Sequence, residues 1–394
     1  MLIAGEPSGD LLAAELVAAV RGRVVATSLE PTVDVQPLRT ALVPRFFGAG
    51  GPKMAAAGVE LAFDLTRHSV IGISEVVKKY LEFRRLFNQL LRLAIERQPD
   101  VIIGVDYGGF NLRLAKAIRN HVRRHHREFV PWNPKIVQFV SPQVWASRPG
   151  RAWMLAENHD LLLSIFPFER AWYAARVPGL RVEFVGHPMV ERLRKSEVGG
   201  RKPAQGPRVV LLPGSRADEV RRHLPVVIPA FGLMRGQLPA LTGTMVLPDE
   251  TLVAAARAFG LPAGLDARAG GLADALANAE VAVTKSGTIT MECAMFGVPA
   301  VVFYRTSWPT YLIARQIINV PHLAMPNLLA GGEIFPEFVQ DAATPEKIAN
   351  AALELLRDEA RRQVVKGKLA AVIASLGGAG APGRAAEAIL SLLP

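Results

Sequence analysis

An α/β fold built from two successive doubly wound domains is what this sequence predicts, and three observations carry it. Short β-branched apolar runs recur along the chain, each ending in a Gly, Pro, Ser or Asp turn that leads into a helical stretch. That grammar stops at the charged, Gly/Pro-rich segment 191–206 and then starts again. Half of the 394 residues are apolar, ample for two cores of ordinary size. The predicted organisation is an N-terminal domain over 1–190, a C-terminal domain over 207–357, and helices over 358–394 that are free to pack back on the N-terminal domain.

Composition narrows the function classes. A single cysteine, Cys293, excludes an intramolecular disulfide and any multi-cysteine metal site, and suits a reducing cytoplasm. The 46 Lys and Arg outnumber 35 Asp and Glu, giving a formal charge of +11. Nucleic acid, an anionic membrane or a phosphorylated substrate would each answer such a surplus. No apolar run approaches the roughly 20 residues of a spanning helix. The start, MLIAGEPSGD, lacks the basic and apolar regions of a signal peptide, so any membrane association is expected to be peripheral.

In chain order, Met1–Ala4 reads as a short first strand and Gly5–Asp10 as a Gly-rich turn into a helix from Leu11. The spacing is not GxGxxG, and Glu6 would repel a diphosphate, so this turn better suits the hydroxyls of a sugar or acceptor. A plain strand-to-helix turn capped by Ser8 is the alternative. Residues 45–57 form another such turn, with Gly48, Gly50 and Gly51 for backbone freedom. The stretch 70–95 is an apolar helix fringed by Lys78, Lys79, Arg84, Arg85 and Arg92. It is either core-packed or a surface for anionic lipid headgroups.

Val101–Val105 is the clearest strand of the first half, and it ends at Asp106. A carboxylate at the carboxyl end of a buried strand can act as a general base towards a hydroxyl; the alternative is a helix cap. The next helix is strongly basic and carries His121, His125 and His126, a solvated surface rather than a metal site. Strands at 135–140, 160–165 and 181–185 end in the turns Ser141-Pro142-Gln143, Pro167-Phe168-Glu169 and Gly186-His187-Pro188.

The second domain opens with the strand Val209–Leu212, the turn Pro213-Gly214-Ser215-Arg216 and a helix from Ala217. Strand, Gly-Ser turn, arginine and helix start make a phosphate cradle, with Glu219 read as a helix-dipole partner. A further strand is expected at 244–248. The unit Val281–Tyr304 follows: a strand, the turn Ser286-Gly287-Thr288, a helix, a break at Gly297–Pro299 and a second strand. Its turn would favour a diphosphate. Glu292, one helical turn after Thr288, can accept hydrogen bonds from the two hydroxyls of a ribose. An ordinary βαβ unit with a solvated or capping acid is the alternative. The rest reads as a helix at 311–318, a loop-rich stretch 320–332, and helices at 333–340, 345–357, 359–374 and 383–392.

The wording of the chain goes further than its pattern. AGEPSGD, GVDYGGFNLRLAKAIR, FVSPQVWASRPGR, FPFE, FVGHP, LLPGSRADEV, KSGTITMECAMFGVP and MPNLLAGGEIFPEFVQ resemble, in order, the motifs of the lipid-A-disaccharide synthase family. These are inverting glycosyltransferases of GT-B fold, which implies two Rossmann-like domains facing a cleft. The resemblance implies UDP-2,3-diacylglucosamine as donor and 2,3-diacylglucosamine 1-phosphate as acceptor, giving a β(1→6)-linked tetraacyl disaccharide 1-phosphate and UDP. It implies Asp106 as base, with Glu6 and Ser8 in the catalytic group. Arg216, Ser286, Gly287, Thr288, Glu292 and Asn327 would bind the donor or its UDP. It further implies no metal or cofactor, an anionic membrane surface as partner, no nucleic acid, and a place on the inner face of the inner membrane, with room for a homodimer. A UDP-sugar 2-epimerase, another UDP-sugar transferase, or a non-catalytic binding protein are the alternatives. The sequence departs from the family's pattern at Gly109, where a second acid is common, and at Lys285, where a small residue is common. The family also usually has a few more residues before AGEPSGD.

Overall fold

A computed structural model of the chain describes residues 1–29, 44–68, 76–125, 131–195 and 206–393. It divides into two compact units, one of residues 1–191 and 376–394, the other of residues 192–375.

The first unit begins with β1 (Leu2–Ala4), a fully buried strand, and α1 (Pro7–Leu29). Then come β2 (Phe47–Gly50), α2 (Pro52–Ala56), β3 (Glu60–Asp64), α3 (Val76–Arg97), β4 (Val101–Val105) and α4 (Gly108–His125). The unit continues with β5 (Lys135–Phe139), α5 (Val144–Ser147), α6 (Arg151–Asn158), β6 (Leu161–Ser164), α7 (Pro167–Ala174) and β7 (Val182–Phe184), and the chain leaves it within α8 (Met189–Lys195). The seven strands form one sheet in the order β3-β2-β1-β4-β5-β6-β7, every pairing parallel. A parallel sheet with helices on its faces must be apolar on both sides, which is why β4 reads VIIGV and β6 LLLS.

The second unit repeats the scheme. It holds β8 (Arg208–Leu212), α9 (Ala217–Gln237), β9 (Thr242–Leu247), α10 (Glu250–Phe259), β10 (Leu265–Ala269), α11 (Leu272–Asn278), β11 (Val281–Lys285), α12 (Ile289–Met295) and β12 (Ala300–Tyr304). After these come α13 (Trp308–Ile317), α14 (Met325–Ala330), β13 (Glu337–Val339), α15 (Pro345–Arg357) and α16 (Glu359–Ser375). Its sheet is parallel in the order β10-β9-β8-β11-β12-β13. A single continuous core of Val, Leu, Ile and Phe from every layer fills it.

Three differences from the sequence reading have plain causes. Residues 333–340 are not a helix: Glu337–Val339 pairs with β12 as an edge strand, because Pro336 breaks the helical run and Phe338-Val339 favour extension. The strands β3 and β10, absent from the sequence reading, carry polar residues at sheet edges and so lack the apolar signature. Among the C-terminal helices, α16 stays with the second unit. The last helix, α17 (Ala381–Leu390), lies against α1 in the first, where Arg23 pairs with Glu387 at 3.0 Å and Arg384 Nε donates to the Val185 carbonyl. The candidate linker 191–206 falls mostly outside the described residues.

Candidate active site

At the carboxyl end of the first sheet, two neighbouring strands bring their turns together. β1 and β4 pair in register, Ala4 opposite Val105, so Gly5-Glu6 lies beside Asp106-Tyr107. Contact there is close: a Cβ on Gly5 would fall 2.4 Å from the Tyr107 ring, so the ring packs directly on the glycine. Asp106 (φ 51°) and Tyr107 (φ 47°) both occupy the left-handed region, a cost that surrounding structure must hold in place.

The holding groups are two buried amides. Gln138 on β5 donates through Nε2 to the Asp106 carbonyl at 2.9 Å, and Asn111 on α4 donates through Nδ2 to the same oxygen at 2.8 Å. Both side chains are buried, and their remaining oxygens, Asn111 Oδ1 and Gln138 Oε1, have no partner among the described residues. Room for them comes from Gly104, where a Cβ would stand 2.8 Å from Gln138 Oε1 and 2.9 Å from the Asn111 side chain. Burial pushes the Asp106 carboxyl above the usual carboxylate range, against a smaller opposite pull from the Tyr107 N–H. Burial, then the negative charge of Glu6, also raises the Tyr107 hydroxyl. Glu6 and Ser8 are both exposed in this turn.

Several partners of this end were not legible. Asp10 is buried and accepts the backbone N–H groups of Gly51 (2.7 Å), Lys53 (2.9 Å) and Met54 (3.0 Å), latching the first turn to the second. The signal was present in the acid that closes AGEPSGD, but an Asp ahead of a helix reads as a cap. Glu169 is buried too; its Oε1 accepts from Trp145 Nε1 at 3.0 Å, and burial raises its pKa to about 7. Ser141 and the buried Tyr173 share a hydrogen bond of 3.0 Å beside it. The position of the missing acid, Gly109, is exposed, and a side chain there would meet nothing within 4 Å.

The carboxyl end of the second sheet is organised differently. β8 and β11 pair directly, which puts the turns Pro213–Arg216 and Ser286–Thr288 side by side. Glu219, expected as a dipole partner, instead bridges them: it takes an ion pair from Lys285 at 3.3 Å and the Ser215 N–H at 3.2 Å. Burial raises the Glu219 carboxyl, but Lys285, the Ser215 N–H and Arg216 outweigh it and the net shift is downward. On the other side, the buried His223 ties the Pro213 carbonyl through Nδ1 and accepts the Arg305 N–H through Nε2 at 3.2 Å. Arg216 is exposed, with no ion-pair partner among the described residues.

Gly287 (φ 137°) and Thr288 are exposed at the tip of the β11 turn. Glu292 sits one helical turn behind, half-buried, and no hydrogen bond to its carboxylate exists among the described residues. Burial alone raises its pKa. A desolvated carboxylate with unused lone pairs is costly unless a ligand supplies donors.

Two predicted binding residues have their side chains spent on structure. Ser286 Oγ donates to the Leu323 carbonyl at 3.0 Å. Asn327 is completely buried: Nδ2 donates to the Phe335 carbonyl and to Glu337 Oε1, both at 2.8 Å, and Oδ1 accepts from the N–H groups of Ile334 (2.8 Å) and Phe335 (2.9 Å). Its amide has nothing left for a nucleotide, so the expectation of direct contact gives way to one of holding the 323–335 loop. No group of three His, Cys, Asp or Glu placed to hold a metal exists among the described residues.

The model of a family described as lipid-A-disaccharide synthetase matches residues 1–379. The chain belongs to the lipid-A-disaccharide synthetase family. Within it, the chain is 36% identical to the lipid-A-disaccharide synthase of Myxococcus xanthus, over 100% of this chain and 97% of that protein. The Granulibacter bethesdensis synthase is 35% identical, over 95% and 92%. Among solved structures, the calicheamicin glycosyltransferase CalG4 matches with TM-score 0.58 at 16% identity, over 100% of this chain and 96% of that one. The UDP co-structure of S. aureus MnaA matches with 0.61 at 12%, over the same shares. These likenesses show the GT-B fold. A member of this family is a glycosyltransferase, and the epimerase alternative is not favoured.

Proposed function

We propose that this family member transfers 2,3-diacylglucosamine from UDP-2,3-diacylglucosamine to the 6-hydroxyl of 2,3-diacylglucosamine 1-phosphate, with inversion, releasing UDP. The observation that carries the donor half is Glu292, a half-buried carboxylate with no hydrogen-bond partner among the described residues, behind an exposed Gly-Thr turn. Two ribose hydroxyls would donate to it, and the diphosphate would lie over the turn's backbone and Arg216. The acceptor half belongs to Asp106. Its carboxylate takes the proton of the acceptor hydroxyl as that oxygen bonds to the anomeric carbon, while the C–O bond to UDP breaks and its electron pair leaves on the diphosphate. A base with a raised pKa is better matched to that proton. Arg216 and the turn N–H groups stabilise the departing charge. Glu6 and Ser8, both exposed in the turn that begins at Gly5, would meet acceptor hydroxyls.

The membrane reading rests on α3. Leu86 and Leu90 are buried in the core, so α3 is a packed helix on one side. Its outer side carries exposed Leu81 and a groove of about 700 Å³ whose lining includes Arg84, Arg85 and Arg92 against one acid, Glu96, a basic balance suited to anionic headgroups. Residues 70–75 and the side chains of Val76–Tyr80 lie outside the described residues. No described helix is long and apolar enough to cross a membrane. The test is the product: purified protein with both lipid substrates yields equal amounts of UDP and a β(1→6) disaccharide 1-phosphate by mass spectrometry. With Asp106→Ala the rate falls by about a thousandfold or more. UDP without disaccharide, or full turnover by Asp106→Ala, would contradict the reading.

A further inference from the structure

An anion already sits where the two turns of the second sheet meet. The Glu219 carboxylate accepts the Ser215 N–H at 3.2 Å through Oε2 and the Lys285 ammonium at 3.3 Å through Oε1. Backbone N–H, ammonium and oxyanion are the parts of a phosphate site, with a side-chain carboxylate in the phosphate's place. The pair is mostly buried, Lys285 19% and Glu219 15% exposed at the side chain, although Ser215 and Gly287 in the adjoining turns are exposed.

The ammonium is not spent on this contact. At 3.3 Å the bond is longer than the roughly 2.7–2.9 Å of a close charge-assisted hydrogen bond. An ammonium has three donors, and Glu219 is the one acceptor that Lys285 Nζ meets among the described residues. Its stem ends over the β11 turn: a Cβ on Gly287 would stand 3.3 Å from Nζ and 3.6 Å from Cε. Gly287, at φ 137°, brings no side chain between that ammonium and the open tip.

Chain order supplies a direction. Glu292 lies one helical turn behind the tip, and Lys285 is the last residue of β11 ahead of it. A nucleotide whose ribose is held at Glu292 runs its phosphates towards Gly287 and reaches Lys285 with the outer one. We infer that Lys285 binds the outer phosphate of a nucleoside diphosphate, with Glu219 as the counter-ion it leaves on binding. A phosphate brings more negative charge and more acceptor oxygens than one carboxylate, so it takes up the donors that Glu219 leaves unused. The inference rests on the reading of this turn as a diphosphate site, and it names the residue that tells a diphosphate from a monophosphate.

The test is calorimetry of the full chain with UDP and with UMP. Lys285→Met keeps the stem over Gly287 and removes the charge. It should weaken UDP by about tenfold or more while UMP stays within about twofold. Lys285→Arg should recover most of the UDP affinity. Glu219→Gln keeps an acceptor for the Ser215 N–H and releases the ammonium, so UDP should bind as in the parent or up to about fivefold tighter. Removing one charge of a mostly buried pair can cost the fold. The double variant Glu219→Gln, Lys285→Met leaves neither charge behind and should repeat the loss for UDP alone. A pair that only braces the turns gives another pattern: UDP and UMP weaken together in Lys285→Met, Glu219→Gln and the double variant, and that result overturns the inference. Unchanged UDP affinity in Lys285→Met and the double variant overturns it too, and leaves the proposed transfer standing. A parent that prefers UDP to UMP through Lys285 but forms no disaccharide refutes the transfer and leaves this inference standing.

Discussion

At each sheet end a candidate carboxylate is pushed upward by burial, Asp106 in the first and Glu292 in the second, and the two are held in opposite ways. Asp106 sits on a left-handed backbone whose carbonyl is gripped by two buried amides. Glu292 stands on helix α12 behind a turn whose tip is open, and no described group hydrogen-bonds to its carboxylate. A strained, clamped acid suits a group that must meet one proton in one geometry. An open, unpartnered acid suits a group whose partners arrive with a ligand. On the proposed reading, proton transfer falls to the first unit and nucleotide holding to the second.

The largest test of that contrast removes the clamp. Gln138→Leu or Asn111→Leu frees the Asp106 carbonyl and should lower kcat by up to about a hundredfold, as small misplacements of a catalytic group do. KM for the UDP donor should hold, and steady-state kinetics at several pH values would show the acidic limb moving. If KM rises and kcat does not, the amides serve packing alone.

A smaller effect concerns the buried Glu169, whose pKa rises from the ordinary 4.5 to about 7. Between those values the unfolded chain ionises and the folded one does not, so stability is full at pH 4 and declines as pH rises to 7. The decline amounts to roughly 2–3 kcal/mol for one such group. Chemical denaturation at pH 5 and pH 8 should show a difference that shrinks in Glu169→Gln.

Smallest of all is Gly109→Asp. The site is open and begins α4, so an acid there should change stability by less than about 1 kcal/mol, in the favourable direction. Thermal unfolding checks this. If the added acid restores turnover to Asp106→Ala, the base can be supplied from either position.

How much of this could be read from the chain follows from what each residue answers to. Strand ends announce themselves, because a buried β-branched run must stop at a polar or glycine turn; Asp106, Arg216 and Glu292 were found that way. The alternation of strands and helices gave both sheets apart from the edge strands β3, β10 and β13. Partnerships across the sheet are a different matter. Nothing local in Gln138 says that it will hold Asp106, and Glu219 looked like a helix-dipole partner until β8 and β11 paired and set it against Lys285. Asn327 showed the converse: a motif residue that looked like a ligand contact proves to be the hub of a buried loop. Local pattern reveals where a side chain starts, and tertiary pairing decides whether it is still free when it gets there.

The division of labour is tested most directly by titrating UDP into Asp106→Ala and Glu292→Ala by calorimetry. Losing a charged acceptor of ribose hydrogen bonds should weaken UDP by about tenfold or more in Glu292→Ala. In Asp106→Ala the affinity should stay within about twofold of the parent, since that group meets the acceptor. Equal weakening in both variants, or weakening in Asp106→Ala alone, would contradict the account.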